Sequence, residues 1–399
     1  MAVSRDLCLV VTDAISFNVL YRGQLEYLAK QGFRLTLICG GAAHEIDKLR
    51  ERNVGRVIDL GLVREPHPWI DLLSLCRLIW HFLLNRYSTV LYTTPKAILL
   101  GSIAALLTLQ GRRLAFFQGR VYENFRGLRR LVYRILDWLA VLCSHEVLFV
   151  SRSLMCEFVK DIPAAARKGT VLGSGSGNGV DMEAFSLKSI SPDQLELLRR
   201  DLDIAPSDFV VVIVGRINFD KGIAEIADVI ERVGSRDPKV RFLFVGSVEN
   251  ADAQRQLARL TSAESAIHVN FTQDITLYMA LADLHLFLSH REGFGNVAVE
   301  AAALGIPTLA FDVVGVRDSV AEEVSGWRLR FGDTEAIAAK ILELADSPIP
   351  TRTQFREARY WVEDNFSQEE VWRRHAAYLR GAIAGKRLCK SMEPPNSKF

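Results

Sequence analysis

Short apolar runs alternate with longer amphipathic stretches over the first 150 residues of the chain. The short runs are typical of buried strands, and stretches with apolar positions three and four residues apart are typical of helices. The predicted strands are 7–11, 34–39, 54–60, 89–92, 113–117 and 146–150, and the predicted helices are 24–31, 71–84, 97–109 and 128–143. This alternation predicts a parallel sheet that helices cover on both faces.

A second alternation of the same kind begins at Phe209. Its predicted strands are 209–214, 241–245, 267–270, 284–288 and 308–311, and its predicted helices are 223–233, 251–263, 277–282 and 297–304. Between the two alternations, residues 170–181 (TVLGSGSGNGVD) hold four glycines within seven positions, which we expect to break any regular element. Residues 187–206 are polar and are expected to contain one short helix.

We therefore predict an α/β protein with two doubly wound parallel-sheet domains. The predicted segments are an N-terminal domain at 1–185, a linker at 186–206, a C-terminal domain at 207–365, a C-terminal helix at 366–385 and a disordered tail at 386–399. The tail prediction rests on its terminal position and on the pair Pro394 and Pro395. A chain of 399 residues is long enough for each domain to have its own core.

Composition and charge exclude several classes of protein. Hydrophobic residues make up 49% and charged residues 24% of the chain, values that argue against collagen, coiled coil and general disorder. The net charge of +2 argues against a general nucleic-acid-binding protein. The charge is unevenly placed, because residues 1–185 carry a net charge of +7 and the remainder carries −5. The two halves are therefore expected to face different surroundings or different substrates.

The six cysteines lie far apart and none forms a CxxC pair, so we predict neither a disulfide framework nor a cysteine-based zinc site. The eight histidines show no HxH or HExxH spacing, and no metal site is expected. A reducing, cytoplasmic compartment is predicted, since residues 1–13 do not match a signal peptide. The longest uncharged apolar run, 98–109, has 12 residues, so we expect no membrane-spanning helix.

The strongest local signal is VGRINFDKG at residues 214–222. A buried strand is predicted to end at Gly215, and a helix is predicted to begin near Ile223. Arg216 and Lys221 lie in the loop between them. Ligands of doubly wound sheets bind at the carboxyl ends of the strands, and two cations beside the free N–H groups of a helix suit a diphosphate. The alternative is that both charges are simply solvated in a surface loop.

The second signal is HREGFGNVAVEAAALGIP at residues 290–307. Glu292 is expected in a glycine-rich loop directly after a strand. Gly293 and Gly295 would let the backbone approach a ligand closely, and Asn296 is a plausible helix N-cap. Such a loop suits hydroxyl-rich groups beside a phosphate. A capped turn with no ligand is the alternative interpretation.

Glu300 lies eight residues after Glu292, one turn into a predicted helix of valine and alanine. A carboxylate that is buried without a partner costs several kcal/mol, so we expect Glu300 to have one. Together with Glu292 it would place two carboxylates at one loop edge. The alternative is a single surface glutamate on an ordinary helix.

The glycines of residues 172–181 superficially match a dinucleotide-binding loop. That motif needs a helix directly after the loop, and here polar sequence follows. We therefore interpret the segment as a hinge or a cleft-lining turn, in which Asp181 can form an Asx-turn.

Residues 111–139 combine arginines with aromatic and aliphatic side chains. The arginines are Arg126, Arg129, Arg130 and Arg134, and the apolar stripe is Leu128, Leu131, Val132, Ile135, Trp138 and Leu139. Such a helix could lie on an anionic membrane surface, and it could equally face the core with its arginines in solvent. Both possibilities remain open at this point.

The combination of these motifs resembles the retaining glycosyltransferases of family 4, which have the GT-B fold. The resemblance is carried by GR…DKG, by the Glu292-x7-Glu300 pair and by GSGNGVD, and it extends over most of the chain. Within the family the chain is most similar to enzymes of capsular polysaccharide, exopolysaccharide or lipopolysaccharide O-chain biosynthesis. The GT-B resemblance implies two Rossmann-like domains that face each other across a cleft, with the final helix crossing back onto the N-terminal domain.

The family implies a role for each matching residue. Arg216 and Lys221 would hold the diphosphate of a nucleotide sugar and stabilise the leaving group, as catalytic residues. Glu292, the third catalytic residue, would contact the hydroxyls of the transferred sugar, and Glu300 would bind the ribose. Further substrate-binding positions would be Gly215, Gly293, Phe294, Gly295, Asn296 and Val297, with Asn178 facing the cleft from the N-terminal side.

The resemblance also implies the reaction. A hexose or N-acetylhexosamine would move, with retention, from a nucleotide sugar (a UDP-sugar by subgroup) to a lipid-linked or growing glycan acceptor. The acceptor would bind the N-terminal domain, at the inner face of the membrane if residues 111–139 contact it. No cofactor and no metal would be needed, because fixed cations can stabilise leaving UDP.

Two alternatives stay open: a nucleotide-sugar 2-epimerase of the same fold, and a nucleotide-sugar-binding protein without catalysis. The sequence departs from many relatives at one position, where residues 117–120 (FQGR) replace a histidine near the reacting sugar. Arg120 could stabilise charge on the acceptor side, but it is a poor base.

Overall fold

The protein is described here from a computed structural model. The structure describes residues 5–120, 122–123, 125–262, 266–347 and 351–381. The chain divides into two compact units. Unit 1 contains the described residues up to Asn178 and those from Val371 onward, and unit 2 contains the described residues from Gly179 to Glu370. The predicted tail at 386–399 lies outside the described residues.

Unit 1 is built on a parallel sheet. Within its described residues, the strands are β1 (Asp6–Val10), β2 (Arg34–Cys39), β3 (Arg56–Asp59), β4 (Thr89–Tyr92), β5 (Arg112–Phe117), β6 (Glu146–Phe149) and β7 (Gly169–Val171). Their order is β3-β2-β1-β4-β5-β6-β7, and neighbouring strands are parallel. The central strands β1 and β4 are buried along nearly their whole length, as expected when helices cover both faces.

The helices of unit 1 connect successive strands. They are α1 (Ala14–Leu20), α2 (Gln24–Lys30), α3 (Ala43–Glu51), α4 (Pro68–Leu84), α5 (Pro95–Leu107), α6 (Gly127–Cys143) and α7 (Arg152–Asp161). The helices α4, α5 and α6 each carry the chain toward the β7 edge of the sheet. Because crossovers between parallel strands are right-handed, these three helices lie on the same face, and α5 packs against both α4 and α6.

Unit 2 repeats this architecture. Within its described residues, the strands are β8 (Phe209–Val214), β9 (Val240–Val245), β10 (Ala266–Val269), β11 (Leu284–Phe287), β12 (Thr308–Phe311) and β13 (Gly326–Leu329). The strand order is β10-β9-β8-β11-β12-β13, again parallel throughout. The helices are α8 (Pro192–Asp201), α9 (Ile223–Gly234), α10 (Ala251–Thr261), α11 (Ile275–Leu281), α12 (Asn296–Ala303), α13 (Val316–Ser319), α14 (Thr334–Ala345), α15 (Thr351–Gln354) and α16 (Ala358–Phe366).

The core of unit 2 has two layers, one on each face of the sheet. Apolar side chains of α9, α10 and α14 fill one layer, and those of α8, α11 and α12 fill the other. Every strand from β8 to β12 supplies side chains to at least one of these layers. The predicted class, an α/β protein with two Rossmann-like parallel sheets, is confirmed.

Several boundaries differ from the sequence predictions. Residues 170–181 were expected to contain no regular element, yet β7 occupies their beginning and pairs with β6. The proposed linker 186–206 contains α8, and its residues Leu198 and Ile204 are buried in the core of unit 2. The segment therefore belongs to unit 2, because α8 is amphipathic and buries its apolar side.

The last described helix, α17 (Gln368–Leu379), passes from unit 2 into unit 1 between Glu370 and Val371. Its Trp372 ring lies 5.7 Å from the ring of Tyr27, and a guanidinium N–H of Arg112 donates to the carbonyl oxygen of Tyr378 at 2.8 Å. These contacts hold the end of the described chain on unit 1.

Candidate functional site

The two C-terminal motifs meet at one point of the unit 2 sheet. Strand β8 lies between β9 and β11, and the strand order reverses direction between β8 and β11. The loop after β8 carries Arg216 and Lys221, and the loop after β11 carries Glu292. Ligands of doubly wound sheets bind outside the carboxyl ends of the strands at such a reversal point. The position alone therefore marks these loops as a candidate ligand site.

An ion pair between Lys221 and Glu292 joins the two loops. The Lys221 side chain is 27% exposed and the Glu292 side chain 14%, so the pair is largely shielded from water. The backbone N–H of Lys221 donates to the side-chain oxygen of Asn218 at 2.9 Å, which fixes the turn that presents the lysine. The ammonium has three N–H donors, so Lys221 can keep Glu292 and still contact an anion.

Arg216 is the more exposed of the two cations. Its side chain is 60% exposed and forms an ion pair with Glu249. Asn218 donates to the same carboxylate, so Glu249 holds both residues of the loop. A hollow beside them is lined by both predicted cations and Gly215, together with Asn218, Phe287 and Ser289. The structure thus brings three of the predicted site residues to one place.

Two further pairs clamp the same loops together. A guanidinium N–H of Arg291 donates to Asp220 at 2.8 Å, and the Nε2 atom of His290 lies 2.9 Å from Glu225. The hydrogen bond to Glu225 raises the pKa of His290, against the effect of burial. His290 thus has a protein partner in α9.

Glu300 lies on α12 and is partly exposed. Burial raises the pKa of its carboxyl to about 7. A protein partner was expected for this carboxylate, but the described part of the chain provides no donor to it. That expectation is wrong, because partial exposure leaves the carboxyl accessible to water or a ligand.

The loop before α12 differs from its prediction in one detail. Gly295, with φ +89°, is the N-cap of α12, and Asn296 is the first residue of the helix rather than its cap. Phe294 is buried, with its ring 5.1 Å from that of Phe366, so it anchors the loop in the core. Val297 is half-buried against the core layer of unit 2 that α8, α11 and α12 fill. Only backbone groups of Phe294 are therefore offered to a ligand, while its side chain holds the loop in place.

The two predicted site residues of unit 1 are both engaged within that unit. Asn178 donates to the carbonyl of Arg22 at 3.0 Å and accepts from the indole N–H of Trp372 at 2.7 Å. Arg120 is buried and forms ion pairs with Glu123 at 3.1 Å and Asp161 at 2.9 Å. These contacts give both side chains partners within unit 1, and the substrate roles expected for them stay predictions.

Two residues that contribute to the site were not predicted from the sequence. Glu249 follows β9, and its position at a strand end was a usable signal. Gly315, with φ +82°, lies against the backbone of Glu292, where a Cβ atom would come within 2.5 Å of the carbonyl oxygen. Only the fold reveals that contact. Asp181 forms the predicted Asx-turn, accepting from the N–H groups of Glu183 and Ala184.

Within the described residues, no group of three or more histidine, cysteine, aspartate or glutamate side chains is arranged to hold a metal ion. Among the cationic side chains of the site, Arg216 and Lys221 lie in the loop that leads into the N-terminus of α9.

Comparison with known proteins places this arrangement in a family. The family "Glycosyl transferases group 1" matches residues 195–361, which lie in unit 2. The capsular polysaccharide biosynthesis glycosyltransferase CapM of Staphylococcus aureus is 30% identical over 355 residues, covering 88% of this chain and 91% of CapM.

Solved structures share the fold at lower identity. The Anabaena protein Alr3699/HepE, in complex with UDP and glucose, superimposes with a TM-score of 0.77 at 20% identity, over 94% of this chain and 100% of that one. WaaG, a glycosyltransferase involved in lipopolysaccharide biosynthesis, gives a TM-score of 0.71 at 15% identity, over 94% and 100%. With the extended match to CapM, these findings show that the chain has the GT-B fold and belongs to the group 1 glycosyltransferases.

Proposed function

We propose that this protein transfers a hexose or N-acetylhexosamine from a UDP-sugar to a lipid-linked or growing glycan acceptor, with retention, in the biosynthesis of a capsular or related surface polysaccharide. The observation that carries the proposal is the shielded Lys221–Glu292 pair at the reversal point of the unit 2 sheet, beside Arg216. The biological setting follows CapM, and the choice of uridine follows the Anabaena neighbour that binds UDP.

The donor would bind with its diphosphate on Arg216 and Lys221. Negative charge develops on UDP as the glycosidic bond breaks, and cations that are already in position stabilise it at little reorganisation cost. Glu292 would contact hydroxyls of the transferred sugar while it orients the Lys221 ammonium. Glu300, which has no protein donor in the described chain, would accept hydrogen bonds from the ribose hydroxyls.

Retention would follow a front-face route. The bond from the anomeric carbon to the β-phosphate oxygen breaks with its electron pair leaving on UDP, and the acceptor oxygen bonds to the same face of that carbon. The departing phosphate oxygen takes the acceptor proton. No pair of carboxylates flanking the sugar, as in hydrolases, is required, and the shielded ion pair can serve this route without a metal.

The acceptor would bind unit 1, with residues 111–139 in contact with a membrane. The regular elements in the described part of this segment are β5 and most of α6. The apolar stripe predicted for α6 is largely exposed, since Leu128 is 76% and Ile135 51% accessible. The core-facing alternative for this stripe therefore loses its support. No helix in the described ranges is long and apolar enough to cross a bilayer.

The proposal is tested by thermal shift with a panel of nucleotide sugars, UDP and GDP, without metal. Ligand at 100 times its Kd adds about 2.7 kcal/mol to stability, a readable shift. We expect UDP and one UDP-sugar to raise the Tm and GDP to leave it unchanged. Turnover of that UDP-sugar should then require an added acceptor, whereas conversion without acceptor would indicate an epimerase. A flat panel with folded protein would refute the donor site.

The Glu300 assignment predicts a pH dependence of UDP binding. With a pKa of about 7, about one tenth of the carboxyls are ionised at pH 6. If only the carboxylate accepts from the ribose, UDP should bind up to about tenfold more weakly at pH 6 than at pH 8. Glu300→Gln should lack this difference and retain only the titration of UDP itself, as measured by calorimetry. Identical pH profiles would remove Glu300 from the site.

The same substitution has a stability signature independent of activity. The folded-state pKa of Glu300 is raised from 4.5, so the folded state holds more protons than the unfolded state between about pH 4.5 and 7. The contribution of the Glu300 carboxyl to the free energy of unfolding is therefore present at low pH and is lost as the pH rises through about 7. We expect Glu300→Gln to have a Tm a few degrees above that of wild type at pH 8 and close to it at pH 4.5.

A further inference from the structure

Exposed apolar side chains concentrate on one side of unit 1. Among the described residues, 26 large hydrophobic side chains are exposed, and 16 of these lie on α4, at or just after the end of α5, and on α6. They are Trp69, Ile70, Leu72, Leu73, Trp80, Leu83, Leu84, Leu106, Leu107, Leu109, Leu128, Leu131, Val132, Ile135, Trp138 and Leu142. We call this surface the α4–α6 face. A concentration of this kind marks an interaction site.

The three helices form one layer. Helix α5 lies between α4 and α6 and packs against both. The half-buried side chains of Leu99 and Ile103 on α5 lie within the same layer. No other element of the described chain packs over the exposed side chains. From the sequence, only residues 111–139 were predicted to form such a surface, whereas the structure extends the apolar surface to α4, which ends 27 residues before that segment.

The tryptophans identify the kind of partner. The chain has six tryptophans, and Trp69, Trp80 and Trp138 are exposed by 78%, 65% and 46%. All three lie on the α4–α6 face, while Trp327, Trp361 and Trp372 are half-buried elsewhere. Tryptophan is enriched at the boundary between lipid and water, where one side of the ring is apolar and its N–H is solvated.

The charges of the face are mainly positive. Arg126 precedes α6, Arg129 stacks on Phe125 at 3.8 Å, and Arg130 and Arg134 share the single carboxylate of Asp161. Opposing acids are few. On α4, Asp71 is neutralised by Lys96 at 2.6 Å.

Asp137 is the acid on α6. Burial raises its pKa to about 7, which reduces its negative charge near neutral pH. A net positive charge beside exposed aliphatic and indole groups complements an anionic bilayer, which offers both apolar depth and negative headgroups.

We propose that the α4–α6 face docks on an anionic lipid bilayer, with α4 inserting Trp69, Trp80 and Leu84 beside the apolar stripe of α6. The inference rests on the membrane contact proposed above for residues 111–139 and extends it to a three-helix surface. Docking on a bilayer explains why apolar side chains are exposed on three neighbouring helices. A contact through one amphipathic helix would account for only one exposed stripe.

The test is flotation with phosphatidylglycerol–phosphatidylcholine vesicles, using purified full-length protein. Wild type should float, and Trp69→Ser combined with Trp80→Ser and Leu84→Ser should lower the partition coefficient at least about tenfold. A matched control replaces the exposed Phe271 and Tyr360 of unit 2 by serine and should float like wild type. Brominated phosphatidylglycerol should quench wild-type tryptophan fluorescence, and Trp69→Phe with Trp80→Phe should reduce that quenching.

Each outcome has one meaning. If the α4 variant floats like wild type, α4 is not in the contact and the extension is overturned, while a contact through α6 can stand. If wild type does not float, both membrane proposals fail, and the UDP thermal shift still decides the donor site independently. If wild type does not float but forms a dimer, and the same substitutions abolish that dimer, the face binds a second copy of the chain. The bilayer proposal would then be overturned. Flotation on pure phosphatidylcholine as strong as on mixed vesicles would remove the anionic requirement.

Discussion

Replacement of Lys221 by alanine is expected to lower kcat/KM for sugar transfer by about 100-fold or more. Removal of one preorganised group that stabilises developing negative charge costs roughly 100- to 1,000-fold. Lys221 is preorganised in this sense, because Asn218 fixes its backbone and Glu292 holds its ammonium. The loss should appear mainly in kcat, since the charge on UDP is greatest as the bond breaks. Steady-state kinetics with the UDP-sugar found in the thermal shift would measure it.

A matched control separates this effect from a general loss of charge. Lys340 also forms an ion pair in unit 2, with Glu343 at 2.7 Å, but it lies on α14, away from the site loops. Lys340→Ala should keep wild-type kinetics. Near wild-type kinetics for Lys221→Ala would instead remove the lysine from the mechanism.

The variant also leaves Glu292 without its ion-pair partner, and the free energy of unfolding should fall. Thermal unfolding must therefore show that the Lys221→Ala variant is still folded at the temperature of the kinetic assay. The variant Glu292→Gln distinguishes the two roles of that carboxylate. If Glu292 only positions Lys221, Glu292→Gln should lower kcat/KM less than Lys221→Ala does. If Glu292 also contacts the sugar, the decrease in kcat/KM should depend on which UDP-sugar is used.

The fold class could be predicted because both halves of the chain repeat strand and helix patterns with distinct periods. The misses have physical causes. Strand β7 has three residues, too few to show a period, and it exists because β6 offers an unpaired edge. The short helix expected within residues 187–206 is present as α8, but its polar composition does not reveal that its Leu198 is buried in the core of unit 2.

The positions of the candidate site residues in their loops could be predicted from the sequence, but the ion pairs between their side chains could not. The loop position of Arg216 and Lys221 follows from the strand that precedes them. Their partners lie 33 and 71 residues away, and only the sheet order brings those loops together. For Arg120, the sequence likewise could not reveal a distant partner. The sequence shows a free cation, and the fold pairs it with Asp161, 41 residues later.

The exposure of α4 was equally hidden from the sequence. Its apolar residues predict a helix, and the default expectation is that a helix so rich in leucine and tryptophan is buried. The pattern of one helix does not reveal how much of its surface a neighbour covers. Here α5 covers only one side of α4, and the remaining apolar side chains are exposed. The surface proposed to dock on a bilayer therefore emerged from the packing of unit 1, whereas the proposed donor site of unit 2 was indicated by sequence motifs.

Replacement of Gly222 by alanine is expected to destabilise unit 2 by about 3 kcal/mol and to impair activity as well. Gly222, the N-cap of α9, has φ +79°, a conformation that costs an alanine about 1–2 kcal/mol. An added Cβ would come within 2.2 Å of the Leu288 carbonyl oxygen, so the backbone itself must move. Because Lys221 precedes Gly222 and Leu288 leads into the loop of Glu292, this movement would separate the two halves of the ion pair.

The measurement is thermal unfolding together with steady-state kinetics. For a unit of this size, 3 kcal/mol lowers the Tm by about 6–12 °C. Gly234, the last residue of α9, is the matched control, because an added Cβ there meets no atom within 4 Å and its φ is not positive. Gly234→Ala should leave activity unchanged and leave the Tm equal or slightly raised. A Gly222→Ala protein with wild-type Tm would show that the two loops can move apart without loss of stability. The close approach of Gly222 to the Leu288 carbonyl would then not be what assembles the Lys221–Glu292 pair.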